Sequence, residues 1–364
     1  MTEIVNKAAS LPPNRPRLGL WAWARANLFS SWYNGALTLT FAYIAWLVIP
    51  GLVKWGFVNA SLNGDAAACR AAGGACWSFI AEKWRFILFG TFPDDQQWRP
   101  TLAILATIAT LVISADRRTW GRPLLFIWGG GLGFAALMMF GGVLEMDFVP
   151  TGLWGGLPLT LALSVVGLGA SFPLGVLLAL GRTSELPVMR GLSVVYIELV
   201  RGVPLISILF MASVMLPLFL PQDVPIDKLL RALIGITLFS AAYVAEVVRG
   251  GLQAIPRGQV EASKALGLGY WQRQRLIILP QALALVIPPL VNSFIAIFKD
   301  TSLVIIIGLL DLLSTAKSAL TDPAWRGFYK EAYLFVGVIY FLFCYALSRY
   351  SRHLETVLGR GRKR

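Results

Sequence analysis

The side chains capable of chemistry in this 364-residue chain fall into a few groups. Glu198 and Arg201 in YIELVRG, and Glu246 and Arg249 in AEVVRG, each stand three residues apart, so on a helix each acid shares a face with its base. Such pairs act either as structural ion pairs or as gates and coupling contacts. A second group consists of hydroxyls and amides set in apolar sequence: Ser207, Ser240, Tyr243, Asn292 and Ser293, with Ser164 and Ser213 beside them. Neutral groups of this kind offer donors and acceptors to a polar solute at lower desolvation cost than fixed charges. The same groups also serve as hydrogen bonds between packed helices. Pro288 and Pro289 come just before Asn292 and predict a break in that helix, with carbonyls turned toward a cavity.

Other chemistry is poorly supplied. One His and three Cys leave too few ligands for most His/Cys metal sites and make a His-based triad improbable, so no metal site and no catalytic residue is assigned. The dipeptide Gly-Lys is absent, and with it any G-x-x-x-x-G-K-[ST] phosphate loop. Cys69 and Cys76, in CRAAGGAC, are either a disulfide in an oxidising compartment or two small residues of an Ala/Gly-rich loop. Cys344, inside an apolar run, reads as a packing residue. His353, in the basic stretch RYSRHLETVLGRGRKR, reads as an ordinary surface residue.

The elements that must position these groups are membrane helices. Hydrophobic residues make up 57 % of the chain and charged ones 14 %, where a soluble domain carries about 25 % charged; the mean hydropathy is +0.67. Charge-free apolar runs stand at 35–53, 100–115, 123–144, 157–181, 202–222, 232–245, 282–298 and 332–348, each long enough with its flanks to cross a hydrocarbon core of roughly 30 Å. The fold class is therefore all-α, a polytopic membrane protein with about eight transmembrane helices. The apolar stretch 303–310 is too short to cross and predicts a short interfacial or re-entrant helix.

Orientation follows from Lys and Arg, which collect in cytoplasmic loops. Alternate loops divide the 32 basic residues 21 to 11, and the richer set includes both termini and 248–281. Both termini are thus expected in the cytoplasm and the long loop 54–99 outside. The apolar run that starts near residue 35 continues for a full membrane thickness, so no cleavable signal is read. Basic residues are scattered between apolar runs with no continuous stripe, which argues against nucleic acid as a partner and for membrane lipid. The composition shifts near residue 150. Residues 1–150 form an N-terminal extension with about three spans, 151–355 the working part, and 356–364 a basic cytoplasmic tail.

The loop 248–281 is the most patterned segment. Pro256 and Gly258 break the preceding helix, Val260 to Leu266 reads as a helix with Val260 and Leu266 as apolar knobs, and Gly267 and Gly269 can end it in a left-handed conformation. Trp271 to Leu279 resumes a helix that Pro280 interrupts. Glu261 sits early in the first helix, where the dipole favours an acid. A helix, turn and helix of this kind suits docking into a groove on a soluble partner.

Glu261, Ala262, Gly267, Ile277, Leu279 and Pro280, at their spacing, resemble the EAA loop of bacterial ABC importer permeases, the segment that engages the ATPase; Ser263 stands where the family usually has Ala. The stretches 159–184, 196–210, 245–267 and 292–303 are similar to the polar amino-acid permeases. The longer form with extra N-terminal spans resembles the M subunit of general L-amino-acid, or glutamate/glutamine/aspartate/asparagine, importers. The resemblance covers about residues 151–355. It implies a type I importer permease core in the bacterial inner membrane, a non-catalytic transport subunit, and as partners a second homologous permease, an ABC ATPase dimer and a periplasmic amino-acid-binding protein. ATP and Mg would then be bound by the ATPase, and this chain would hold no cofactor. An ion-coupled secondary amino-acid transporter is the competing class, weakened because no acidic residue lies at the centre of any apolar run. An intramembrane enzyme is disfavoured by the lone His353.

Overall fold

The computed structural model describes residues 19–143, 145–219, 221 and 226–360. Lys7, Arg15 and Arg17, and residues 361–364 of the basic tail, lie outside the described residues. The chain divides into two units, 1–78 and 79–364.

In the first unit, α1 (Leu20–Asn27) precedes α2 (Trp32–Val53). Ser31 caps α2 by accepting from the Asn34 amide at 3.3 Å, satisfying one orphan N–H of the first turn. The span runs on through a π-turn to Val58, and α2 buries none of its residues within the chain. Beyond it, α3 (Ala66–Ala72) is capped by Asp65, and Cys69 and Cys76 are joined in a disulfide with Cα atoms 5.4 Å apart. The Ser61 amide donates to Ala75 O and the Trp77 amide to Ser61 O, both at 2.8 Å, so backbone and disulfide close the same small loop.

The second unit is built on α7 (Gly156–Arg182) packed against α10 (Lys228–Gln253), with α8 (Pro187–Gly202), α13 (Leu279–Asp300) and α15 (Tyr329–Arg360) around them. The antiparallel pair α5 (Trp98–Ser114) and α6 (Arg122–Phe140) leans on α7. The described residues of the eight apolar runs are mostly helical, but among the described residues six helices are long and apolar enough to cross a membrane, and a seventh crossing requires the bent pair 187–202 and 205–219, which turns by 103°. The remaining run, α5, has 17 residues and reaches about 25 Å at 1.5 Å per residue. The expected short helix near 303–310 is a 3-10 turn, Thr301–Ile307, closed by left-handed Gly308.

Three prolines behave differently from the expectation. Pro288 and Pro289 lie inside a continuous α13, so the helix is not broken ahead of Asn292. Transmembrane helices tolerate such residues, and one turn on the Ser293 hydroxyl donates to Pro289 O at 3.3 Å. Pro280 likewise stops nothing, because a π-turn over Gln274–Ile278 changes the hydrogen-bond register before it and puts its missing N–H at a helix start.

At the end of the bundle opposite the 248–281 loop, fully buried Asp311 caps the helix Leu312–Ala319 by accepting from the Leu313 and Ser314 amides at 3.1 and 3.0 Å, and it accepts from the Tyr340 hydroxyl at 3.2 Å. Arg99, also buried, donates to Met138 O and Asp147 O, each at 2.9 Å, and fixes the turn after α6 to the start of α5.

Within the bilayer α7 and α10 approach through small residues. A Cβ on Gly175 would meet Val244 Cγ1 at 2.5 Å and Ala241 O at 3.0 Å, whereas one on Gly169 meets nothing within 4 Å. Gly175→Ala is expected to cost about 1–3 kcal/mol through overpacking, and Gly169→Ala to cost nothing measurable. Unfolding of the two variants in detergent, compared with the wild type, checks the difference.

Candidate functional site

The 248–281 loop folds as helix, turn, helix. Helix α11 (Arg257–Ala265) starts after Pro256 and ends at Gly267, whose φ of +70° is the left-handed conformation that favours glycine. The Gly267 amide donates to Lys264 O at 2.9 Å and the Leu268 amide to Ser263 O at 3.2 Å, satisfying the last carbonyls of α11. The turn closes where the Gly269 amide donates to Gln272 Oε1 at 3.1 Å and α12 (Tyr270–Arg273) begins.

Helix α11 has two faces. Ser263 is buried, and its hydroxyl donates to Val260 O at 2.7 Å, so it presents little more than an alanine's bulk to its neighbours. Val260 packs with Ile277 against the buried cluster of Ile255, Ile278 and Ala282. Val260 is therefore an inward anchor and not, as expected, a knob for a partner. Glu261, Ala262, Ala265 and Leu266 are exposed on the other face, Leu266 to 75 %. Leu279 is half-buried and Pro280 exposed at the start of α13. The motif thus separates into residues that hold the helix (Ser263, Ile277) and residues it offers (Glu261, Ala262), with Gly267 setting the turn.

Just before this loop, the charged residues gather differently from the two local pairs expected. Glu246 and Arg249 do pair, with Oε2 2.9 Å from Nη2. Glu198 and Arg201 do not pair with each other. Glu198 meets Arg182 Nη1 at 2.8 Å and Arg201 Nη1 meets Glu246 at 3.5 Å. Arg182 also reaches Glu246 at 3.0 Å, so one carboxylate at the end of α10 faces guanidiniums from α7, α8 and its own helix. The Glu246 side chain is 15 % exposed and that of Glu198 57 %. Arg182 escaped sequence reasoning because it has no acid at helical spacing; its position in the last turn of an apolar run, within one turn of another charged helix, was the available signal.

The five path candidates are not brought into one chamber. Ser240 is fully buried on α10 and its hydroxyl has no partner. Tyr243, one turn on, has its ring under the Arg201 guanidinium at 5.5 Å and against Phe239 at 4.8 Å, which joins a path candidate to the ionic cluster. Ser207 and Ser293 are half-buried and Asn292 is exposed. An apolar cleft lined by Ala103, Thr107, Ala135, Trp154 and Leu161 contains none of them.

Glu246 holds more than Glu198 does, which gives a test. Glu246→Gln leaves three guanidiniums facing a neutral amide and is expected to cost about 2 kcal/mol, while Glu198→Gln, mostly solvated, is expected to cost under about 1 kcal/mol. Equal losses in detergent unfolding would show that Glu246 is no more than a surface partner.

Residues 171–358 match the family model described as binding-protein-dependent transport system inner membrane component. The inner membrane amino-acid ABC transporter permease protein YhdY of Escherichia coli (strain K12) is 48 % identical over 100 % of this chain and 99 % of its own length. The glutamate/glutamine/aspartate/asparagine transport system permease protein BztC of Rhodobacter capsulatus is 41 % identical over 97 % of this chain and 96 % of its own. A crystallised amino acid ABC transporter with histidines is 31 % identical over 56 % of this chain and 92 % of its own, with a TM-score of 0.48. A family match over the helices that carry the ionic cluster and the 248–281 loop, with full-length similarity to two permeases, makes this chain a member of the binding-protein-dependent transport system inner membrane components, a multi-pass protein of the inner membrane.

Proposed function

We propose that this chain is the permease subunit of an ATP-driven amino-acid importer. It lines the translocation path with a second, homologous permease and receives the power stroke through α11. The observation that carries this reading is the division of α11 into a buried face, Val260 and Ser263, and an exposed face, Glu261, Ala262 and Leu266, closed by left-handed Gly267. Such a helix is rigidly held by its own chain and leaves its outer face for a groove on an ATPase dimer, which supplies the ATP and Mg chemistry. This subunit is then non-catalytic. Both termini and the 248–281 loop lie in the cytoplasm, on the 21-to-11 division of basic residues, and a periplasmic amino-acid-binding protein delivers cargo at the opposite face. The names of the two full-length relatives support amino acids as the cargo.

Ser207, Ser240, Tyr243, Asn292 and Ser293 are the groups of this subunit assigned to the path. A zwitterion needs donors and acceptors together, held weakly enough for release, which neutral groups supply. Ser240, with an unpartnered hydroxyl between α10 and its neighbours, is the position where a helix movement would give or take a hydrogen bond.

Coupling is tested at Glu261 and Gly267. Glu261→Lys is expected to abolish ATP-driven amino-acid uptake in reconstituted vesicles while the subunit remains folded in the membrane. A Cβ at Gly267 meets nothing within 4 Å, so substitution there acts through backbone strain alone in this chain. Gly267→Val should lose uptake at a cost of about 1 kcal/mol or more to the turn, and Gly267→Asn, which tolerates the left-handed region, should retain more. Full uptake by Glu261→Lys and Gly267→Val would refute the role of α11.

A further inference from the structure

On the bundle end that carries the 248–281 loop, a recess is lined by Arg182, Thr183, Ser184, Arg190, Val194, Arg249 and Gln253. Its polar lining is basic or neutral, and no carboxylate lines it. Arg182 and Arg249 are held in place by Glu246 and by Glu198 behind them. The Gln253 oxygen accepts from Arg249 Nη1 at 2.8 Å, which leaves its NH2 group as a donor. Arg190 is exposed and makes no ion pair with a described carboxylate. Thr183 and Ser184 add hydroxyls, and Glu185 in the same turn is not among the lining residues. Counting the cluster behind it, four guanidiniums meet two carboxylates, an imbalance that calls for an anion.

The helix that forms one wall tells which anion. Helix α8 turns by 103° from the segment 205–219 that follows it. Around α8 the sectors are distinct at 100° per residue. Ser193, Ile197 and Val200 are buried, Arg190, Val194, Glu198 and Arg201 occupy the next sector, and beyond them Val188, Leu192, Val195 and Leu199 form an apolar stripe 63–72 % exposed. A helix set at 103° to the segment that follows it, with its apolar stripe uncovered and guanidiniums on the adjoining face, has the pattern of one lying in the membrane interface. The acyl chains then meet the stripe and the headgroups lie level with the recess.

We infer that the recess of Arg182, Arg190, Arg249 and Gln253 holds the phosphate of an anionic phospholipid whose acyl chains cover the Val188–Leu199 stripe of α8. The site goes beyond the transport reading and its test does not depend on it, because the readout is lipid retention and not uptake. The bound lipid bridges α7, α8 and α10 at the end of the bundle where α10 leads into α11.

The test uses the full chain purified in its membrane complex, with retained lipid read by native mass spectrometry against added phosphatidylglycerol, phosphatidylcholine of the same acyl chains, and inorganic phosphate. Wild type should retain phosphatidylglycerol in preference to phosphatidylcholine. Arg190→Gln should weaken phosphatidylglycerol about fivefold, and Arg190→Lys, which keeps the charge, should weaken it less. Leu192→Ser with Leu199→Ser should lower retention of phosphatidylglycerol while the complex stays assembled. Inorganic phosphate should not displace the lipid. Equal retention of the two lipids by wild type, or unchanged phosphatidylglycerol in Arg190→Gln, overturns the site. Displacement by inorganic phosphate assigns the recess to a free anion and overturns the lipid.

Discussion

One carboxylate ties the ends of three helices of this chain together. Glu246 stands on α10, between the helix that packs most extensively along it and the loop that follows it, and it is the shared partner of Arg182, Arg201 and Arg249. A charge at this depth is tolerated only because it is paired and lies near a helix end, where the guanidiniums can extend toward water. The consequence is mechanical. The ends of α7, α8 and α10 cannot separate without unpairing charges.

The 248–281 loop is joined to the bundle by apolar packing at one end and by charge at the other. Val260 and Ile277 seat α11 on Ile278 and Ala282 at the start of α13, while Gln253 and Arg249 connect the other end of the loop to Glu246. Helix α11 is therefore fastened to two helices at once, α13 by buried side chains and α10 by continuity of the chain. Tyr243, under Arg201, places a half-exposed aromatic ring between the ionic cluster and buried Ser240 one turn away.

The sequence carried much of this. Hydropathy located the six long apolar helices among the described residues because a bilayer demands long charge-free runs, and the left-handed residue at Gly267 was legible because a helix must satisfy its last carbonyls and glycine does so at little strain. Spacing along one helix was a poorer guide to charge. It paired Glu198 with Arg201, whereas the structure gives Glu198 to Arg182 and Arg201 to Glu246, since partners across helices are set by tertiary approach that no local period records. Val260 was assigned to the wrong face of α11 for the same reason: an apolar residue on a short amphipathic helix fits either a partner's groove or the chain's own core, and only Ile277 and Ile278 decide between them. Prolines misled because the rule that they break helices is a rule of water. Inside α13, Pro288 and Pro289 remove donors without ending the helix, because an unwound backbone in hydrocarbon would cost more than the two lost bonds.

The distribution of polarity along the bundle follows from the same solvent. Buried charges and hydrogen-bonded carboxylates lie at its two ends: Glu246 with its guanidiniums at one, Asp311 capping a helix and Arg99 binding two carbonyls at the other. Between them, α7 and α10 are held by close approach of Gly175 to Val244 and by a hydroxyl bonded to backbone across the two helices, Thr237 to Gly167 O at 3.3 Å. Uncharged contacts of this kind have little directionality. Such packing strands no charge in the bilayer if two helices shift against each other. The transport role proposed above requires directional bonds at the rims and adaptable packing in the middle, and this chain distributes them in that way.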